Sequence, residues 1–108
     1  MVYVKAEVNV LPGKLARFSE LIKELVPVIA EVQWTIAGAY LNVSGRQDSL
    51  LIIWQVPDAN ALVNLGGQME KNPRLTEILH RIHECVEPEI ATLVTDAPFA
   101  PTRSRAAT

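Results

Sequence analysis

Hydrophobic and polar residues alternate strictly from Val2 to Val10 at the start of the chain. Successive side chains of a β-strand point to opposite faces of the sheet, so this alternation predicts a strand that is buried on one face only. The apolar positions are Val2, Val4, Ala6, Val8 and Val10. The opposite face carries a phenol, an ammonium, a carboxylate and an amide, which we call the polar row: Tyr3, Lys5, Glu7 and Asn9.

A helical period replaces the alternation after Pro12-Gly13-Lys14. Apolar residues then recur at spacings of three and four, which predicts an amphipathic helix from about Gly13 to Gln33. Pro27 falls on its polar side and is expected to kink or interrupt it, because proline removes a backbone hydrogen bond and crowds the preceding turn. The apolar stripe comprises Leu15, Phe18, Ile22, Leu25, Val26, Ile29 and Val32.

Two further strands are predicted in the middle of the chain. Alternation returns between Trp34 and Ser44, and Gly38 within it suggests a bulge or a close backbone approach. The connection Gly45-Arg46-Gln47-Asp48 has the length of a hairpin loop between antiparallel neighbours. The segment from Ser49 to Val56 is apolar on both faces, which favours a central strand.

The C-terminal half predicts two helices and a fourth strand. Asp58 is the expected cap of a short helix, which Gly66-Gly67 should weaken or end. Asn72-Pro73 supplies a cap and a first helical residue for the last helix, which runs to about Val86. Alternation between turn signals then predicts a strand from Ile90 to Thr95.

The order strand, helix, strand, strand, helices, strand is that of a ferredoxin-like split β-α-β fold. The predicted class is therefore α+β, with a four-stranded antiparallel sheet and helices on one face. The uncovered face would show Tyr3, Tyr40 and either Trp34 or Ile36, and a face that apolar seldom stays open to water. We therefore expect a homodimer, packed sheet against sheet, with a cavity between the sheet and the elements that cover it in each subunit.

Composition narrows the functional classes. The length of 108 residues is that of one domain, since domains usually have ~100–200 residues. We expect the domain to span residues 1–97 and to be followed by an irregular tail at 98–108. A net charge of −2 gives no basic field for nucleic acid or an anionic membrane, and no apolar run suits a membrane span. The lone Cys85 and the lack of a signal-peptide pattern favour a cytoplasmic location.

Five motifs, spread in order over nearly the whole chain, carry a family resemblance. They are Leu11-Pro12-Gly13-Lys14-Leu15, Gly38-Ala39-Tyr40, Ile53-Trp54-Gln55, Asn72-Pro73 and Ala97-Pro98-Phe99-Ala100-Pro101. The last three are similar to Leu-Trp-Glu, Asp-Pro and Pro-Phe-Ser-Pro of the NIPSNAP family, in the dimeric α+β barrel superfamily. One position departs from the family, because Ile52 stands where many relatives have a histidine.

The resemblance implies a homodimer whose two sheets form a barrel, and it implies no single activity. Relatives in the superfamily include cofactor-free monooxygenases, aromatic polyketide cyclases, isomerases, chlorite-type haem enzymes and haem-degrading enzymes. We therefore expect a small-molecule-binding homodimer. One hypothesis is a cofactor-independent monooxygenase, cyclase or isomerase acting on an aromatic or polyketide-like substrate. The alternative is a non-catalytic ligand-binding or scaffolding dimer.

The polar row is the leading candidate site. If it faces a cavity, Lys5 or Glu7 would act as a general base, and Tyr3 and Asn9 would orient a phenol, enol or carbonyl group by hydrogen bonding. The alternative is that the row is only the polar side of a strand, or a salt bridge at a dimer interface.

Three residues of the second and third strands are candidates for substrate binding in the same cavity. Tyr40 and Asn42 share a face of the second strand, and Trp54 lies on the third. They would add aromatic walls and one amide. The alternative for each is core packing.

The last helix carries the string His80-x-x-His83-Glu84. A metal site needs a third or fourth ligand, and the spacing differs from the zinc motif His-Glu-x-x-His. We expect a solvated His80, a His83 at the edge of the apolar stripe, and no metal or organic cofactor, with haem ligation by His83 as a third hypothesis. Cys85 is expected to be a buried structural thiol.

Overall fold

The computed structural model describes residues 1–101. The predicted tail at 98–108 therefore lies outside the described residues from position 102 onwards. The strands are β1 (Val2–Asn9), β2 (Thr35–Leu41), β3 (Ser49–Val56) and β4 (Ile90–Thr95). The helices are α1 (Leu15–Ile29), α2 (Ala61–Lys71) and α3 (Pro73–His83), with a 3₁₀ turn at Ala30–Val32.

The strands form one four-stranded sheet in the order β2-β3-β1-β4. Every neighbouring pair is antiparallel, so β1 and β3 are the two central strands. This confirms the predicted α+β ferredoxin-like fold. Within residues 1–101 no helix is both long and apolar enough to cross a membrane.

The core lies between one face of the sheet and the helices. Val4, Ala6 and Val8 of β1 are buried there, as the alternation predicts. Leu21 of α1 and Leu75 of α3 are fully buried against them. Burial of such a side chain contributes about 1.5–3 kcal/mol, so the helices are held to the sheet by this apolar layer.

A β-bulge in β2 reverses which side chains point to each face of the sheet. The register shifts between Ile36, opposite Trp54, and Gly38, opposite Ile53. Tyr40 therefore faces away from the helices, whereas Ile36 and the buried Trp34 face the core. The predicted irregularity at Gly38 is confirmed. The expectation that Trp34 or Ile36 shares the uncovered face with Tyr40 is wrong, because the extra residue of the bulge reverses the alternation.

The end of the first helix differs from the prediction at Pro27. The α-helix is not interrupted there but continues to Ile29, and the chain then tightens into the 3₁₀ turn. Val28 and Ile29 are buried in the core, and their packing favours helical backbone beyond the proline. Gln33, with a φ of 66°, ends this segment.

The second helix begins later and runs further than predicted. The Asp58 carboxylate accepts a hydrogen bond from the Asn60 backbone N–H at 2.8 Å, and the helix begins only after that turn. It then continues through Gly66-Gly67 to Lys71. Leu65 and Met69, on either side of the glycines, pack against the core, and this packing outweighs the low helix propensity of glycine.

Asn72 and Pro73 begin the third helix as predicted. The Asn72 Oδ1 accepts a hydrogen bond from the Leu75 backbone N–H at 3.2 Å, and Pro73 is the first helical residue. The helix ends at His83, before the predicted Val86. Val86 instead forms an isolated bridge with Val10, which extends the sheet-like contacts beyond β1.

Replacing Gly66 or Gly67 by alanine should stabilise the protein. Both lie inside α2, and an added Cβ would meet no atom within 4 Å. We expect each change to raise the free energy of unfolding by about 0.5–1 kcal/mol, because alanine loses less backbone entropy. Thermal unfolding followed by circular dichroism measures this. The matched control is Gly13→Ala, which should destabilise because Gly13 has a φ of +77°. A loss of stability in the α2 variants would contradict the prediction.

Candidate functional site

The polar row lies on the face of the sheet that points away from the helices, which we call the open face. Lys5 lies between Ile53 of β3 and Thr92 of β4. Glu7 lies between Leu51 and Ile90 in the same way. Each charged group is thus flanked by at least one apolar neighbour on a central strand of the sheet.

The members of the row differ in their exposure to solvent. Tyr3 is buried, Lys5 and Asn9 are half-buried, and Glu7 is exposed. Tyr40 joins this face from β2, opposite Leu51, and is 60% exposed. The open face therefore brings together six of the seven residues that the sequence proposes for a site: Tyr3, Lys5, Glu7, Asn9, Tyr40 and Asn42.

The two asparagines of this set already make structural hydrogen bonds. The Ser49 hydroxyl donates to the Asn9 Oδ1 at 2.6 Å. The Asn42 side-chain amide donates to the backbone carbonyl of Arg46 at 3.0 Å. The Arg46 guanidinium in turn pairs with Glu87. These bonds hold the loop at residues 42–48, which is longer than the predicted four-residue connection, against the end of the sheet.

Tyr40 folds back over the bulge. A Cβ at Gly38 would lie 2.8 Å from the Tyr40 hydroxyl oxygen and 2.9 Å from a ring carbon. The glycine therefore leaves room for the phenol ring on the open face. This contact gives the bulge glycine a role beyond backbone freedom.

Trp54 is the one proposed site residue that the structure does not bring to the polar row. It lies opposite Val4 and Ile36 on the helix-facing side, and only 6% of its surface is exposed. Its ring lies 6.0 Å from that of Trp34, tilted by 58°. Trp54 thus packs in the core and also lines the cavity described next.

A cavity of about 110 Å³ opens between the helix-facing side of the sheet and the helices. An apolar cavity of about 150 Å³ admits benzene, so this one suits a ligand of at most a single ring. Its walls are apolar apart from one carboxylate. They include Val4, Ala6, Val8, Ile52, Trp34, Trp54, Phe18, Leu25, Leu62, Leu65, Ile82 and Glu89.

Sequence reasoning missed Glu89, the one ionisable residue among the described residues that line the cavity. Ile90 pairs with Glu7 on the open face, so by alternation Glu89 turns to the helix-facing side, level with Val8. Its side chain is 36% exposed, and the His83 Nε2 lies 3.9 Å from its carboxylate. Alternation counted backwards along the last strand is the signal that could have found it.

His80, His83 and Cys85 do not line the cavity. His80 and His83 are exposed, and the residues described hold no group of three or more possible metal ligands. The His83 side chain is 61% exposed, further into solvent than an edge of the apolar stripe. Cys85 is buried and free, as predicted. Ile52 faces the cavity.

Comparison with known proteins gives structural neighbours but no sequence family. No protein-family model matches the chain, and no curated protein matches it. Solved structures do match. An uncharacterised NIPSNAP domain protein from Burkholderia xenovorans has a TM-score of 0.76 and 18% identity, with 94% of this chain and all of that one covered.

Two further solved structures also match this chain in fold. A NIPSNAP family protein from Agrobacterium tumefaciens has a TM-score of 0.77 and 15% identity, over 95% of this chain and 100% of that one. A structure described as an antibiotic biosynthesis monooxygenase has a TM-score of 0.63 and 19% identity, over 91% and 100%. The resemblance to NIPSNAP domain proteins is therefore confirmed as a likeness of fold, and identities this low show the fold alone.

Filling the cavity should not destabilise the protein. Ala6 is buried and lines the cavity, so Ala6→Val adds methyl groups where there is room. We expect unchanged or higher stability, by up to about 1 kcal/mol, since each buried methylene contributes about 0.8 kcal/mol. Urea unfolding measures the change. The matched control is Ala61→Val, buried outside the cavity wall, where overpacking should cost about 1–3 kcal/mol. Equal losses in both variants would show that the cavity has no room.

Proposed function

We propose that this protein is a cytoplasmic homodimer that binds one small organic molecule, of about single-ring size, in the cavity of each subunit. The observation that carries this proposal is the apolar cavity between sheet and helices, walled by Trp34 and Trp54. Ligand sites in proteins are mostly apolar concavities with a few placed polar groups, and Glu89 is such a group. A polyketide of several rings exceeds the volume.

The open face supports the dimer. It exposes large apolar side chains, with Tyr40 60% and Ile90 62% exposed. These two lie in one line across the sheet with Leu51 and Glu7. A second copy packed on this face would remove that surface from water.

The charges on the open face favour a second copy of this chain as the partner. Lys5 and Glu7 lie two residues apart on β1 and point to the same side. Among the residues described, neither has an ion-pair partner. In a twofold interface, any contact between two different residues occurs twice, so Lys5 placed against the partner subunit's Glu7 would form two equivalent ion pairs.

A charge exchange tests this interface. Lys5→Glu and Glu7→Lys should each weaken dimerisation about tenfold or more. Each change makes residues 5 and 7 carry the same charge, so two pairs of like charges would face each other across the twofold axis. The double variant Lys5→Glu/Glu7→Lys should restore it. Sedimentation equilibrium measures the dimer dissociation constant. A monomeric wild type would refute the dimer, and a double variant as weak as the singles would refute the pairing.

Native mass spectrometry of the purified protein tests ligand binding. We expect a dimer that carries a co-purified small molecule, which denaturing conditions release for identification. Toluene, as a probe of single-ring size, should change the fluorescence emission of Trp34 and Trp54, because both line the cavity and would lose contact with water there. Ala6→Val is the control, since the filled cavity should no longer respond. The absence of both a co-purified adduct and a toluene-induced fluorescence change in the wild type would refute the binding site.

A second candidate is a cofactor-independent enzyme, which the fold likeness to a structure described as an antibiotic biosynthesis monooxygenase favours. Lys5 or Glu7 would remove a proton from an acidic phenol or enol, and the resulting anion would undergo oxygenation by O₂, cyclisation or isomerisation. The anion would be positioned by Tyr3, Asn9, Tyr40 and Asn42. These groups lie on the open face, so the substrate would bind between the two sheets of the dimer.

Replacing both charges by apolar residues separates the two candidates. Lys5→Met/Glu7→Leu should leave the dimer intact, because an apolar pair of similar volume replaces a buried ion pair at little cost. If either residue is the base, oxygen uptake with a dihydroxynaphthalene probe should fall to the buffer rate. The control is Glu84→Gln, an exposed carboxylate away from the row. If the wild type takes up oxygen no faster than buffer alone, the oxygenase hypothesis is refuted. If the double variant takes up oxygen as fast as the wild type, neither Lys5 nor Glu7 is the base.

A further inference from the structure

We infer that the cavity selects a ligand that carries a protonated amine on an apolar body, with the Glu89 carboxylate as the group that binds the amine. This inference rests on the proposed ligand-binding function and names its ligand class. It follows from the difference between the two ends of the cavity, one apolar and the other acidic.

The two ends of the cavity differ in chemistry. Trp54 lies opposite Val4. Glu89 precedes Ile90, which lies opposite Glu7, so it is level with Val8 at the other end of β1. Four residues of strand separate these levels, which is roughly 13 Å at ~3.3 Å per residue. An apolar aromatic end and an acidic end therefore face the same cavity.

The carboxylate of Glu89 is available to a ligand. The His83 Nε2 is 3.9 Å away, which is too long for a hydrogen bond. Within residues 1–101 no lysine or arginine forms an ion pair with it. An ionised carboxylate accepts hydrogen bonds and donates none, so the complementary ligand group is a donor, and a cationic donor gains most.

The apolar walls exclude the opposite ligand classes. A carboxylate-bearing ligand would place a second negative charge beside Glu89 with no described cation on the cavity wall to balance it. A ligand that is polar along its length would lose its hydration against Val4, Phe18 and Trp54 without gaining hydrogen bonds. The remaining class is an amphiphile with a single-ring or alkyl body and an amine at one end.

Three probes of similar shape test this selectivity: 2-phenylethylamine, n-propylbenzene and 3-phenylpropanoate. The wild type should bind the amine about three- to tenfold more tightly than the hydrocarbon, as a half-exposed charge pair provides. The carboxylate should bind most weakly. The change in the fluorescence emission of Trp34 and Trp54 on titration gives each dissociation constant.

Glu89→Gln should abolish the preference for the amine while leaving the affinity for n-propylbenzene unchanged, because glutamine keeps the size and removes the charge. Glu84→Gln, the matched control, should keep the preference. The inference is overturned if n-propylbenzene binds and the amine binds no more tightly, or if the preference for the amine survives in Glu89→Gln. In either case the proposed binding of an apolar ligand in the cavity is still supported. If none of the probes binds, the proposed function itself fails, and the inference fails with it.

Discussion

The alternation along β1 is the constraint on which the rest of the molecule depends. β1 pairs with β3 on one side and β4 on the other, so its period of two is imposed on both neighbours. Val4, Ala6 and Val8 thereby form the floor of the core. A slip of one residue would bring Lys5 and Glu7 into contact with the helices, at a cost of several kcal/mol for each unpaired charge.

The same strand places the polar row and the cavity on opposite faces, whereas the sequence alone predicts that they form one site. One face meets the helices and bounds the cavity, and the other carries the polar row. A general base on the open face cannot reach a molecule held among Trp34, Trp54 and Phe18, because the sheet lies between them. Ligand binding in the cavity and proton transfer by Lys5 or Glu7 are therefore separate hypotheses about separate surfaces.

Much of the fold could be predicted because its signals are local. The bounds of β3 and β4 agree residue for residue with their apolar patterns, and Asn72 caps its helix as its side chain suggests. The face of Trp54 could not be predicted in this way. β3 is apolar on both sides, so only its pairing with β1 decides which side chains point to the helices. Glu89 was missed for a related reason, since it lies one residue before its strand begins.

Of the three helices that line the cavity, α2 buries the fewest residues. Ala61 is the one buried residue of α2, whereas α1 buries five residues and α3 three. Leu62 and Leu65 of α2 line the cavity, and two glycines follow them. Opening of this helix alone would expose little of the core, so a bound molecule can exchange with solvent by local unfolding while the sheet remains intact. If a ligand binds in the cavity as proposed, its residence time would then depend on the stability of α2 rather than on that of the whole protein.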